Sequence, residues 1–219
     1  MAAKGEDDPM SGLLALSRGV DRVTTVIGRN VAWLILLAVV ISAVNALVRK
    51  VFSMSSNAWL EAQWYLFGAA FMLAAAWTLL DNEHIRIDVI YGRWSRRVQH
   101  WIDLIGTVLF LMPFTAIMLY LTWPALMGSL RTGEVSMNAG GLPLWPARAI
   151  LVVGFALLFA QGLSEIVKKI AVMRGVIPDP HHHLNPHEAA LKEAELMAGH
   201  HLHGEHGSEA GAIESERRP

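Results

Sequence analysis

Residues 30–48 read NVAWLILLAVVISAVNALV, nineteen positions without a charged side chain. Wound as a helix, such a run covers about 28 Å, close to the roughly 30 Å of hydrocarbon in a bilayer. Leu104 to Trp123 repeats the pattern over twenty residues. Two further runs, Gln63 to Leu80 and Ala147 to Ser164, are nearly as long but carry polar members, Gln63 and Thr78 in one, Arg148 and Gln161 in the other. Lipid offers no partner to backbone N–H and C=O groups, and the runs lack the alternation of barrel strands, so all four are expected as helices. Composition agrees, with 53% hydrophobic and 17% charged residues where soluble domains hold about a quarter charged. The mean hydropathy is +0.38. The expected fold class is therefore all-α integral membrane, with four transmembrane helices near 30–48, 60–80, 102–123 and 147–167 inside a membrane domain of residues 30–170.

Net charge of −1 leaves no basic excess for nucleic acid, and the absence of cysteine removes disulfides, thiolate metal sites and thiol catalysis. Orientation follows from Lys and Arg in the segments between spans. Lys4, Arg18, Arg22, Arg29, Arg86, Arg93, Arg96, Arg97, Lys168, Lys169 and Arg174 fall on one side; Arg49, Lys50 and Arg131 fall on the other, with Arg148 at its border. Both termini are expected in the cytoplasm. The charged leader and the length of the first apolar run suit a retained signal anchor rather than a cleaved peptide. Trp33, Trp59, Trp64, Trp77, Trp101, Trp123 and Trp145 lie near predicted helix ends, where indole suits the headgroup level.

Outside the spans, residues 1–29 form a leader whose Leu13, Leu16, Val20, Val23 and Ile27 recur at steps of three and four, the mark of an amphipathic helix. Its arginines favour the cytoplasmic membrane interface over packing on a partner helix. Asp81 to His100 is charged yet holds Ile85, Ile87, Val89, Ile90, Tyr91 and Trp94, which suits a segment at the membrane surface. Pro124 to Pro146 contains Gly128, Gly133, Gly140, Gly141 and Pro143 and reads as a punctuated extracytoplasmic loop with little regular structure. Residues 171–219 form a polar cytoplasmic tail, expected to be disordered, with eight histidines between His181 and His206 and one short helix expected from about Asn185 to Met197.

Few polar groups point to chemistry. Haem ligation would want imidazoles at membrane depth, and the four spans contain no histidine. No HExxH helix, GxSxG elbow or phosphate-binding glycine loop occurs, so no catalytic, cofactor or metal residue is assigned and no enzyme is expected. The tail histidines suit adventitious binding of nickel or zinc more than a specific site. Glu61, one turn before the apolar core of the second span, needs a partner or water. Arg49, Lys50 and Arg148 share its side of the membrane, so an ion pair within the chain and a contact with another subunit both stand. Asn45 and Gln161 suit interhelical hydrogen bonds. Ala70 and Ala74 make a small-xxx-small pair that marks the second span as the packing centre, and Pro113 is expected to kink the third.

These features taken in order resemble the small membrane subunit of TRAP (tripartite ATP-independent periplasmic) transporters, the DctQ-like family. The resemblance rests on Glu61 opening the second helix, Trp64-Tyr65-Leu66-Phe67 after it, and Asp81-Asn82-Glu83-His84-Ile85-Arg86-Ile87-Asp88 on the cytoplasmic side. Trp101-Ile102-Asp103 entering the third helix and Ser136 with Gly141-Leu142-Pro143 before the fourth complete it. It covers about residues 30–170. It implies a scaffold subunit in a bacterial inner membrane, packed on a large elevator-type membrane subunit. With an extracytoplasmic solute-binding protein they would form a secondary active, sodium-coupled system for a small organic acid. It further implies that Asn82, His84, Arg86 and Asp88 form a cytoplasmic interfacial network, that Glu61 and Trp64 lie near subunit contacts, and that Ser136, Gly141, Leu142 and Pro143 belong to a loop facing the binding protein. The alternatives are a stand-alone homo-oligomeric small transporter and a metal-responsive membrane protein using the histidine-rich tail.

Overall fold

The computed structural model describes residues 9–54, 56–81 and 94–178. Its elements are α1 (Pro9–Phe52), α2 (Asn57–Leu80), α3 (Arg96–Gly106), a π-helical turn (Thr107–Leu111), α4 (Met112–Thr132) and α5 (Trp145–Met173). The stretch from α3 through the π turn to α4 is unbroken, so four helices are long and apolar enough to cross a membrane. All of them belong to one compact unit, Met1–Ile177; a second unit begins at Pro178, and its residues from 179 onward lie outside the described residues. So do residues 82–93, and with them Asn82, His84, Arg86 and Asp88 and the histidine-rich tail.

The bundle is inside-out relative to a soluble protein. Its buried positions are mostly small or polar: Ser17, Thr24, Val31 and Ala38 on α1, Ala69, Ala70 and Ala76 on α2, Thr115, Leu126 and Ser129 on α4, and Val152, Gly154, Gln161, Gly162, Ser164, Glu165 and Ala171 on α5. The large apolar side chains, Trp64, Phe67, Phe71, Phe110 and Ile117 among them, face outward. Hydrocarbon is as apolar as leucine and drives no helix together, so contact falls to residues that let backbones approach closely and to hydrogen bonds.

Helix α5, not the second span, is the packing centre. It lies against α1, α2 and α4, whereas α2 packs mainly on α1 and α5. The reason is glycine. A Cβ on Gly154 would stand 2.7 Å from Cβ of Met72 and 3.3 Å from the Met72 carbonyl oxygen, and one on Gly162 would collide with Met112. On α1, Gly28 plays the same part against Trp77, which therefore sits between helices rather than in a belt. Trp33, Trp59, Trp64, Trp101, Trp123 and Trp145 are on the surface. Gly154→Ala is expected to push α2 from α5 at a cost of about 1–3 kcal/mol. Gly19→Ala, with nothing within 4 Å of the new methyl, should be neutral or gain up to about 1 kcal/mol of helix propensity. Thermal unfolding of the two variants in mild detergent compares them, and equal midpoints would count against close α2–α5 packing.

Three further boundaries differ from the sequence reading. Residues 13–27 are not a separate leader helix: α1 runs unbroken through 44 residues, about 66 Å. The third helix does not stop before Pro124 but continues to Thr132, where Gly133 in the left-handed region (φ 61°) ends it. Pro113 falls just after the π turn, whose wider hydrogen-bond step accommodates a residue without an N–H.

Candidate functional site at the loop end of the bundle

Helix α2 opens with three polar tips one turn apart, Asn57, Glu61 and Tyr65, and all three hold the connection between α4 and α5. That connection folds back on itself. Leu144 N–H donates to the Glu134 carbonyl (3.0 Å) and Ser136 N–H to the Leu142 carbonyl (2.9 Å), around a bridge between Val135 and Pro143. Gly141 N–H closes a turn onto the Asn138 carbonyl (2.9 Å), with Gly140 at φ 70° as the turn's third residue. Gly141 is required for a steric reason, because a Cβ there would stand 2.5 Å from Cβ of Ser136 and 3.0 Å from the Asn138 carbonyl oxygen.

Glu61 is the centre of this arrangement. Its Oε1 accepts a hydrogen bond from the Ser136 hydroxyl and one from Asn138 Nδ2 (2.7 Å), while Oε2 accepts from the Leu142 N–H (2.7 Å). One turn before it, Asn57 Nδ2 donates to the Ala139 carbonyl (3.2 Å). One turn after it, the Tyr65 hydroxyl donates to the Pro143 carbonyl (3.2 Å). A carboxylate with both oxygens taken by neutral donors is a staple, holding a loop to a helix through charge-assisted bonds. Arg148, weighed above as its ion partner, instead pairs with Glu134 (2.7 Å) and caps the Ala125 carbonyl (2.9 Å). The loop thus carries regular pairing where little was expected, and its tip presents Met137 fully to the surroundings.

Glu61, Ser136, Leu142 and Pro143 are thereby brought together, with Gly141 making room. Trp64 is not among them: it is 74% exposed on the outer side of α2, in a row with Phe67 and Phe71. Asn57, Tyr65 and Asn138 were missed. The four-residue spacing of polar tips at 57, 61 and 65 was the available signal.

A second polar cluster, also missed apart from Gln161, lies toward the other end. Gln161 on α5 accepts from the Thr24 hydroxyl (2.9 Å) and donates to Asp21 (2.9 Å) and Glu165 (3.1 Å), so its amide is used on both sides. The Ser164 hydroxyl donates to Asp21 (2.8 Å); with its one proton so engaged, Ser17 is the donor in the 2.7 Å Ser17–Ser164 bond. Lys168 Nζ reaches Asp21 (3.1 Å) and Glu165 (2.6 Å), and the adjacent Lys169 reaches Asp103 on α3 (2.6 Å). Two neighbouring lysines on α5 therefore tie down α1 and α3. Asn45, by contrast, makes no hydrogen bond to another described residue and borders a recess with Val48, Met54, Ser56 and Trp59.

Among the described residues no group of His, Asp or Glu has the spacing to hold a metal ion. Neither a curated protein nor a solved structure matches the chain. The family model described as "Tripartite ATP-independent periplasmic transporters, DctQ component" matches residues 38–172, a span that takes in the last third of α1, the Glu61 staple, the loop and nearly all of α5. The chain is a multi-pass membrane protein that belongs to the DctQ family, the small membrane component of tripartite ATP-independent periplasmic transporters.

Proposed function

We propose that this chain is the static scaffold of a binding-protein-dependent uptake system. In this reading it packs on the large elevator-type subunit in a bacterial inner membrane and presents the stapled loop to the extracytoplasmic solute-binding protein. The observation that carries the reading is the Glu61 staple. A rigid, outward-presented loop suits docking of another protein, whereas a group that bound solute or ion would need free coordinating atoms, and both Glu61 oxygens are engaged. Membership of the DctQ family supports the partners in general. The Lys and Arg asymmetry supports cytoplasmic termini, which puts the loop outside. The solute is a small organic acid or a related compound, and the coupling ion is sodium, both carried over from the resemblance.

Purification from native membranes in mild detergent, without the histidine-rich tail as a handle, tests this. A much larger polytopic protein should copurify in stoichiometric amount, and deleting this chain should abolish uptake driven by the binding protein. Uptake by this chain alone in proteoliposomes would overturn the reading in favour of the homo-oligomeric transporter. Loss of the phenotype on deleting residues 180–219, with the complex intact, would favour the metal-responsive protein.

A further inference from the structure

Around the Gln161 cluster the fold sorts charge by sign. Asp21, Glu165 and Asp103 turn inward and are paired with Lys168 and Lys169. Arg18, Arg22 and Arg29 on α1 are exposed and make no ion pair with a described residue. Steps of four and seven place these three arginines within about 40° of one another on the helix, along a ridge of about 16 Å. Val26 (58% exposed) lies about 60° round the helix from that ridge, and Leu16 (69%) and Val23 (52%) form a separate exposed stripe about 120–140° from it. The ridge ends where the uncharged run of α1 begins, at Asn30.

We propose that Arg18, Arg22 and Arg29 bind the headgroups of anionic phospholipids in the leaflet at which α1 enters the membrane. Two observations commit the surface to lipid. First, Asp21, the one acid of α1, is turned to the interior, so the charge that this helix presents outward is guanidinium, whose planar fork matches phosphate oxygens two at a time. Second, the same turns of α1 expose an aliphatic stripe as well as the arginines, on a helix continuous with a membrane span. An aqueous protein surface would not favour that combination, but it suits the boundary between acyl chains and headgroups. At 66 Å, α1 exceeds the 40–45 Å of a bilayer with its headgroups, so these residues fall where the helix crosses the headgroup layer. The proposal holds whichever side that leaflet faces.

The test uses the full chain in nanodiscs of phosphatidylcholine with about one-third phosphatidylglycerol, and native mass spectrometry of the lipids that stay bound on release. Basic residues near an anionic surface gain roughly fivefold in partition each. The ratio of bound phosphatidylglycerol to phosphatidylcholine should therefore exceed the bulk ratio at least about tenfold. In R18Q/R22Q/R29Q the enrichment should fall to near the bulk ratio, while R18K/R22K/R29K should keep most of it and Arg131→Gln, at the other end of the bundle, all of it. Unchanged circular dichroism in phosphatidylcholine alone checks folding of the glutamine variant. If that variant does not fold, loss of the wild-type enrichment in high salt supplies the same information. No enrichment in the wild type, or enrichment that survives the triple glutamine change, would overturn the proposal. So would a triple variant that loses the large membrane subunit while its lipid ratio stays the same, because the ridge would then face an acidic protein surface.

Discussion

Lys168→Met is expected to destabilise the chain by about 3 kcal/mol or more. The lysine sits between two carboxylates, 3.1 Å from Asp21 and 2.6 Å from Glu165, and its side chain is only 17% exposed. Removing one member of a buried ion cluster leaves the others desolvated and uncompensated, which costs far more than the intact cluster contributes. Here two like charges remain, linked through Gln161 Nε2, so repulsion adds to desolvation. In a thermal scan in mild detergent the midpoint should drop by roughly 6–12 °C for a chain of this size. Adding Asp21→Asn to Lys168→Met should recover part of the loss, because a neutral amide needs no cation. Lys169→Met should act independently through Asp103 on α3, and its effect should be nearly additive only if the two lysines pin separate helices. A midpoint unchanged in Lys168→Met would show that the cluster is hydrated and contributes little.

This cluster also marks the limit of what the sequence conveys. Uncharged runs identify four membrane helices because length and apolarity alone decide insertion. The face by which each helix meets its neighbours was harder. The wheel of residues 13–27 assigns its apolar ridge to the membrane interface but does not convey that its small and polar residues pack on another helix of the same chain. In this bundle the polar and small residues at 17, 21, 24 and 28 point inward, and Leu16, Val23 and Val26 point out, since the surroundings are themselves apolar or interfacial. The same inversion explains why Ala70 and Ala74 drew attention to α2 while the glycines that admit neighbouring side chains, Gly154 and Gly162, are on α5. Pro124 was read as a breaker, yet it lies inside α4; membrane helices tolerate proline where neighbours re-satisfy the freed groups. At the loop the legible part was Glu61 itself, an acid with no reason to enter lipid without a partner. Its donors lie more than 70 positions away in a loop that hydropathy could not fold; glycine and proline punctuation marks Gly141 and Pro143 as turn residues, and only the family resemblance brings Ser136 forward.

Glu61→Ala is expected to have the largest effect on uptake with the least effect on assembly. The substitution removes the acceptor of the Ser136, Asn138 and Leu142 donors together, while Asn57 and Tyr65 keep one longer bond each to the loop. None of the interhelical contacts at Gly28, Gly154 or Gly162 is touched. The bundle should therefore stay folded and bound to its large partner while the loop loses its fixed shape. Binding-protein-dependent uptake should fall by about tenfold, since a loop that must be ordered on docking charges that entropy against affinity. Glu61→Gln gives the graded control: its single amide oxygen can still serve Ser136 and Asn138, but its NH2 group opposes the Leu142 N–H, so uptake should lie between wild type and alanine. Gly141→Ala should mimic Glu61→Ala from the loop side, because the added methyl displaces Ser136. A glutamyl endopeptidase added outside spheroplasts reads the same change directly. The wild-type loop should resist cleavage at Glu134, which is paired with Arg148, and the alanine variant should be cut there. Cleavage only from the cytoplasmic face would reverse the orientation, whereas wild-type uptake and wild-type protease resistance in Glu61→Ala would show that the staple is dispensable and that the loop takes no part in docking.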